Sequence, residues 1–487
     1  MLLNTHSAQP EGVGSWYSGA MLARMTLTAM AGGVRNRSVS STELVEAHLR
    51  RIAAANPRLN AFVEVFEEEA RREAGRADEA LARGPVAGAL FGVPASIKDS
   101  FDVAGRATRT GSLLRRDEVA REDSWAAARL RGAGAILLGK TSTPEFLYNF
   151  ETDNHYVGPA RNPWNRDLTA GGSSGGEAAA IAAFCSPGGV GSDGGGSIRE
   201  PAHFCGICGL KPTPGRVPAT GHWPLIGYPA GFMGVAGPMA RTAADTRLLF
   251  HVLAGYDGRD PFSAPVPAWP SDSRGARVAV MTQYGDVPVT PRMREAVARA
   301  AALLMEMGHE VEEFDGASIG NAHELWWRLF AEVPAPMLRA MIAGRETETH
   351  WTGTELIGRV KEQAPVTGEQ LCATLAERDA MRARLVEALE RTPVILAPAF
   401  GVQAFPFRKR RFATPQGEIE LLDAASVGTF VNLLGLPSMT VPVVVADNGL
   451  PAGVQFAGAP YEDELVLDLA VRFEEARGVF EAPPEFA

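Results

Sequence analysis

Three segments carry residues that are unusual where they sit. Lys98 closes the apolar run GALFGVPASIK, which should place an ammonium at the tip of a central strand. Partial desolvation there would lower its pKa and allow a neutral amine to act as a base. Leu168 to Gly176 reads LTAGGSSGG and opens onto the helix-like EAAAIAAF. Its glycines permit a tight path that holds the hydroxyls of Ser173 and Ser174 at a helix start. Gly191 to Arg199 reads GSDGGGSIR, where three glycines precede Ser197 and expose consecutive backbone N–H groups, as an oxyanion hole requires.

Ser197 does not sit in a G-x-S-x-G elbow, and the nearest histidines in sequence are His203, then His155 and His222. A neutral lysine can replace histidine as base, with a second serine relaying the proton. Lys98, Ser173 and Ser197 supply that set, and the backbone of Gly194, Gly195, Gly196 and Ser197 supplies the donors. GGSSGG has neither the Walker lysine nor the G-x-G-x-x-G spacing, which argues against nucleotide binding. Cys205-x-x-Cys208 has no second pair and no histidine at ligand spacing, so these read as ordinary buried thiols, with no metal or cofactor expected.

The elements that must position these residues belong to a large α/β body. The 487 residues are 46% apolar and 21% charged, with 52 Gly and 34 Pro, a composition that excludes disorder, collagen and coiled coil. A net charge of −10 gives no support to nucleic-acid binding. Ser40 and Glu43 form a capping box ahead of LVEAHLRRIAAA, and an acidic and basic helix follows at about 65–83. Strand and helix patterns then alternate. ARVAVM, a helix opened near Pro291, HEVEEF, PVILAP, SMTVPVVVA, GVQFAG and a closing helix near 463–476 continue the pattern. The expected fold is a large twisted sheet, mixed and mostly parallel, flanked by helices.

Residues 1–20 read as a loose lead-in and 21–487 as one domain, with a helical insertion at about 318–385. That insertion carries Trp326, Trp327 and Phe330, which together with Phe146, Trp223 and Phe400 are candidates for an apolar substrate pocket. The bland alternative is that its aromatics only pack it to the body. No secretory or membrane-spanning segment is evident, so a soluble cytoplasmic protein is expected. Arg408, Lys409, Arg410 and Arg411 form a basic run that reads as a solvated loop.

The ordered ensemble PASIKDS, GGSSGGE, GSDGGGSIREPAHFCGICGLKPTPGRV, GPMARTAAD, NLLGLPSMTVP and NGLPAGVQFAG resembles the amidase signature family over residues from about 35 to 475. The resemblance implies the family's α/β fold and a Ser-cisSer-Lys hydrolase. Lys98 would be the base, Ser173 the relay held by a cis peptide after Gly172, and Ser197 the acyl-forming nucleophile. The implied substrate is a small or aromatic carboxamide, cleaved to a carboxylate and ammonia or amine. Asp193, Arg199 and Thr213 match positions that support the loop. Gly194 stands where the family usually has threonine, which implies a wider or looser acyl pocket.

KPTPGRVPATGHWP resembles stand-alone amidases more than the A subunit of the tRNA-dependent amidotransferase, whose tract generally begins KPTYGRVSR. That component of a larger complex, or a non-catalytic scaffold, is the alternative. The stand-alone reading implies no nucleic-acid or membrane partner and is compatible with a homodimer.

Overall fold

The computed structural model describes residues 19–227, 231–360 and 364–486. The lead-in expected over residues 1–20 therefore lies almost wholly outside the described residues. From Gly19 the chain enters short helices and then the helix Ser41–Leu59, whose capping box is formed: Ser40 accepts from the Glu43 N–H, and Glu43 accepts from the Ser40 N–H.

Eleven strands form one mixed sheet. On one side, Ile136–Thr141, Pro94–Lys98 and Gly188–Asp193 run parallel, with Phe62–Val65 antiparallel at the edge. On the other, Val394–Pro398, Val278–Val280 and Val311–Glu313 are parallel. Antiparallel pairs through Val235–Ala240, Cys208–Lys211, Ser438–Val445 and Pro451–Gly458 join the two blocks. The central strands read as continuous apolar runs because helices cover both faces, and Pro94–Lys98 and Ile136–Thr141 are buried throughout. The closing helix spans Asp463–Arg477 and the proline-opened one Pro291–Glu306.

Parallelism is what brings the chemistry together. Pro94–Lys98 pairs directly with Gly188–Asp193, with Ile97 opposite Val190, so both strands end at the same edge. Lys98 and the loop after Asp193 emerge side by side, as expected for a site at the carboxyl ends of parallel strands. The helix Gly175–Ala182 lies in the crossover between them and presents Ser173 and Ser174 at its start.

Residues 318–360 and 364–389 form a helical layer over that edge. Its helices are Ala322–Trp327, Ala335–Ile342, Trp351–Arg359 and Gly368–Leu389, with a π-helical turn at Arg328–Glu332. Leu338, Ile342, Leu356 and Ile357 pack against Phe146 and Tyr148 of the body in a small separate core. Among the described residues no helix is long and apolar enough to cross a membrane.

Candidate active site

Lys98 is fully buried, and its Nζ lies 2.7 Å from Ser173 Oγ, 2.9 Å from Ser174 Oγ and 3.0 Å from Ser192 Oγ. Burial drives its pKa well below that of an ordinary lysine, against the opposing charges of Asp193 and Glu177. Glu177 is buried as well, which raises its pKa to about 7 despite hydrogen bonds from Ser96 and Thr141. The peptide between Gly172 and Ser173 is cis. Gly191 must be glycine for this packing: a Cβ there would stand 2.8 Å from Ser174 Oγ.

The loop carrying Ser197 is tied from below. Asp193 accepts from the Gly196 N–H at 2.8 Å, the Ile198 N–H at 3.0 Å and Asn432 Nδ2 at 2.9 Å. Arg199, also fully buried, donates to it from Nε at 3.0 Å. Burial pushes the Asp193 carboxyl up, but the Arg199 charge and the hydrogen bonds outweigh it and hold the group ionised. Thr213 donates to Asp463 from both backbone and side chain at 2.8 Å. Asp193 and Arg199 brace the loop directly, whereas Thr213 ties to Asp463 and Tyr461 and makes no bond to the loop among the described residues.

One expected oxyanion donor is displaced by this bracing. The Gly196 N–H points to Asp193, so it is engaged before any substrate arrives. Among the described residues the N–H groups of Gly194, Gly195 and Ser197 have no acceptor.

Ser173 and Ser197 open onto a cavity of about 340 Å³. Phe146, Tyr148, Trp223 and Phe330 line it, and Leu225, Met337 and Met341 stand exposed at its mouth. Phe146 and Leu147 both have positive φ, at 56° and 64°, a sparsely populated conformation for such residues that is characteristic of functional sites. Asp193 is the one charged residue among the described lining residues, and its carboxylate faces its own loop. His222 also lines the cavity; burial, against its hydrogen bond with the Pro224 carbonyl, lowers its pKa to about 3 and keeps it neutral.

Three of the expected pocket residues are elsewhere. Phe400 is buried in the core, its ring 5.4 Å from Phe150 and 5.8 Å from Phe204. Trp327 packs between the covering helices and the small core beneath them. Trp326 is wholly buried behind the glycine loop, with its Nε1 donating to Gly194 O at 2.9 Å. Large aromatics at these positions stabilise packing, and sequence spacing does not say which side of a helix the cavity will occupy. Phe146, Trp223 and Phe330 do line it.

Gly194 does not leave the pocket wider. A Cβ there would be 3.0 Å from Phe330 Cε2, so the ring occupies the space that a threonine would need. Sequence reasoning missed Ser174 and Ser192 as partners of Lys98, although both lie within the glycine-rich tracts. It also missed Leu225, Met337 and Met341, whose residue types carry no chemical signal. Cys205 and Cys208 are both buried, and burial pushes their thiols well above the ordinary range. Among the described residues, no group of three or more His, Cys, Asp or Glu side chains is arranged to hold a metal ion.

The sequence profile described as Amidase matches residues 43–467. The chain belongs to the amidase signature family. It is an enzyme that hydrolyses a carboxamide bond. It is 34% identical over 458 residues to an indoleacetamide hydrolase of Bradyrhizobium diazoefficiens, covering 92% of this chain and 86% of that protein. It is 34% identical over 462 residues to an acylamidase of Rhodococcus erythropolis, covering 93% and 95%. A component of the glutamyl-tRNA(Gln) amidotransferase of Methylococcus capsulatus is 35% identical over 483 residues, covering 93% and 97%. Among solved structures, a bacterial aryl acylamidase superposes with a TM-score of 0.83 at 29% identity, covering 93% and 96% of the two chains.

Proposed function

We propose that this amidase is a stand-alone enzyme for uncharged, apolar carboxamides, aromatic ones foremost, working through a Ser197 acyl-enzyme. The observation that carries the substrate class is the wall of the cavity: four aromatic rings and exposed methionines, with no free charge among the described lining residues. A substrate bearing a carboxylate or ammonium would have to bury it unpaired, at a cost of several kcal/mol.

The proton path follows from the hydroxyls around Lys98. A neutral amine has two N–H groups and one lone pair. Ser174 Oγ donates to Ser192 O at 3.3 Å, so it accepts from Lys98. A second N–H serves Ser192 Oγ, which leaves the lone pair for the Ser173 hydroxyl, the nearest of the three. Lys98 then takes the Ser173 proton while Ser173 takes that of Ser197, and Ser197 Oγ attacks the amide carbon. The oxyanion that forms is met by the free N–H groups of Gly194, Gly195 and Ser197. Return of the proton through Ser173 releases ammonia or amine, and water repeats the sequence on the ester to free the carboxylate.

Similarity to a component of the tRNA-dependent amidotransferase keeps that role as the rival. The purified chain alone should release ammonia from neutral aryl or arylalkyl amides at least tenfold more efficiently than from glutamine. Turnover confined to glutamine, or dependent on added partner proteins, would overturn the assignment. A sulfonyl fluoride should label Ser197; an adduct elsewhere would reject it as nucleophile.

A further inference from the structure

We infer that Trp326 is a positioning residue of the oxyanion hole, reaching it from the covering helical layer. The inference rests on reading the Gly195 N–H as an oxyanion donor. Gly194 O and Gly195 N–H belong to one peptide unit, which is not among the two cis bonds of the described chain. In a trans peptide the carbonyl and the N–H point in opposite directions. Trp326 Nε1 holds Gly194 O at 2.9 Å from the side away from the cavity, since Gly194 lines the cavity and Trp326 does not. The N–H of Gly195 is thereby turned away from the indole, toward the side on which its neighbour Gly194 lines the cavity, and it has no acceptor within the described protein.

The indole is itself held in place. It stacks on Phe330 at 4.9 Å and 14° and on His323 at 5.5 Å and 19°. His323 Nδ1 is in turn 3.0 Å from Thr429 Oγ1 on the body. Trp326 and Phe330 are four residues apart across the start of the π turn, and both face the loop. Gly195 admits the indole because a Cβ at that position would collide with Cζ2. The glycine run thus serves two needs, bare N–H groups on one side and a closely seated ring on the other.

Removing the indole N–H while keeping an aromatic side chain tests the effect. Trp326→Phe should lower kcat about tenfold or more with KM for a good amide changed less than twofold, because the N–H matters where charge develops. Affinity for an aldehyde or boronic acid that forms a tetrahedral adduct on Ser197 should fall by the same factor, while a substrate-shaped competitive inhibitor should bind unchanged. Should Trp326→Phe fail to fold, β-(3-benzothienyl)alanine at position 326 keeps the bicyclic shape and removes only the donor, with the same split expected. If either folded variant keeps kcat within twofold, Trp326 is not a positioning residue. Failure of the underlying reading is separate: the wild-type chain would then form no tetrahedral adduct on Ser197.

Discussion

Lys98 stands among three serine hydroxyls within 3.0 Å, at the ends of strands that run through the middle of the sheet. Across the cavity, Phe330, Met337 and Leu338 hang from short helices and a π turn that cover the same edge. The first region is polar, internally paired and fixed by the backbone; the second is apolar and fixed by ring packing. A reacting carbonyl needs fixed donors and a base of lowered pKa, which a rigid floor supplies. Substrate choice needs only shape and the absence of charge, which the wall supplies. The difference assigns rate to the floor and selection to the wall, with Trp326 as the exception that crosses between them.

The sharpest way to break that division is at the floor. Lys98→Ala should lower kcat/KM by about 10²- to 10⁴-fold in a steady-state assay, with the fold retained by circular dichroism. A neutral Lys98 is needed, so activity is present above its pKa and lost as pH falls through it. Since burial lowers that pKa, the acid limb of the kcat/KM profile should fall far below 10.5 and disappear from whatever activity the variant keeps. Turnover near the wild-type level would remove Lys98 as base.

Next in size is the bond that ties wall to floor. The basic run at 408–411 is only partly a solvated loop. Arg411 is exposed, but the Arg410 guanidinium bridges Glu355 of the covering layer and Glu151 of the body, whose carboxylate is completely buried. Burial pushes Glu151 up, and the Arg410 charge works against it. Arg410→Ala should cost about 2 kcal/mol of stability in denaturant unfolding, because a buried carboxylate loses its partner. If the floor is autonomous, kcat on a small amide should change less than the unfolding midpoint does. An unchanged midpoint would mean that the layer is held by its apolar core alone.

The two regions also differ in how far sequence reveals them. Ser40 with Glu43, and runs such as SMTVPVVVA, mark their elements because capping and strand burial are local properties. Lys98 stands out for the same reason: a charge closing an apolar run is anomalous wherever the chain goes. The wall has no such mark. Trp326, Trp327 and Phe400 have the composition of a pocket, yet their rings pack behind or beneath it, since an aromatic signals burial without signalling which surface it is buried against. The Gly196 N–H was lost as a donor for a related reason. Whether a loop amide is free depends on where Asp193 turns its carboxylate, which spacing does not specify.

The smallest predicted effect lies at the seam between floor and wall. Gly194→Thr introduces a Cβ 3.0 Å from Phe330 Cε2 and γ atoms beyond it, so either the ring or the loop must shift. Overpacking of this kind costs about 1–3 kcal/mol, and if part of it falls on the loop, kcat/KM should drop about tenfold for bulky aryl amides. Small aliphatic amides should lose less, because they do not need the space that Phe330 would be pushed into. Phe330→Leu in the Gly194→Thr background should restore the loop by yielding room for the threonine. Recovery with a changed size preference would show that rate and selection meet at this one contact. Loss that Phe330→Leu does not relieve would place the requirement for glycine in the backbone of the loop instead, and the wall would then have no part in it.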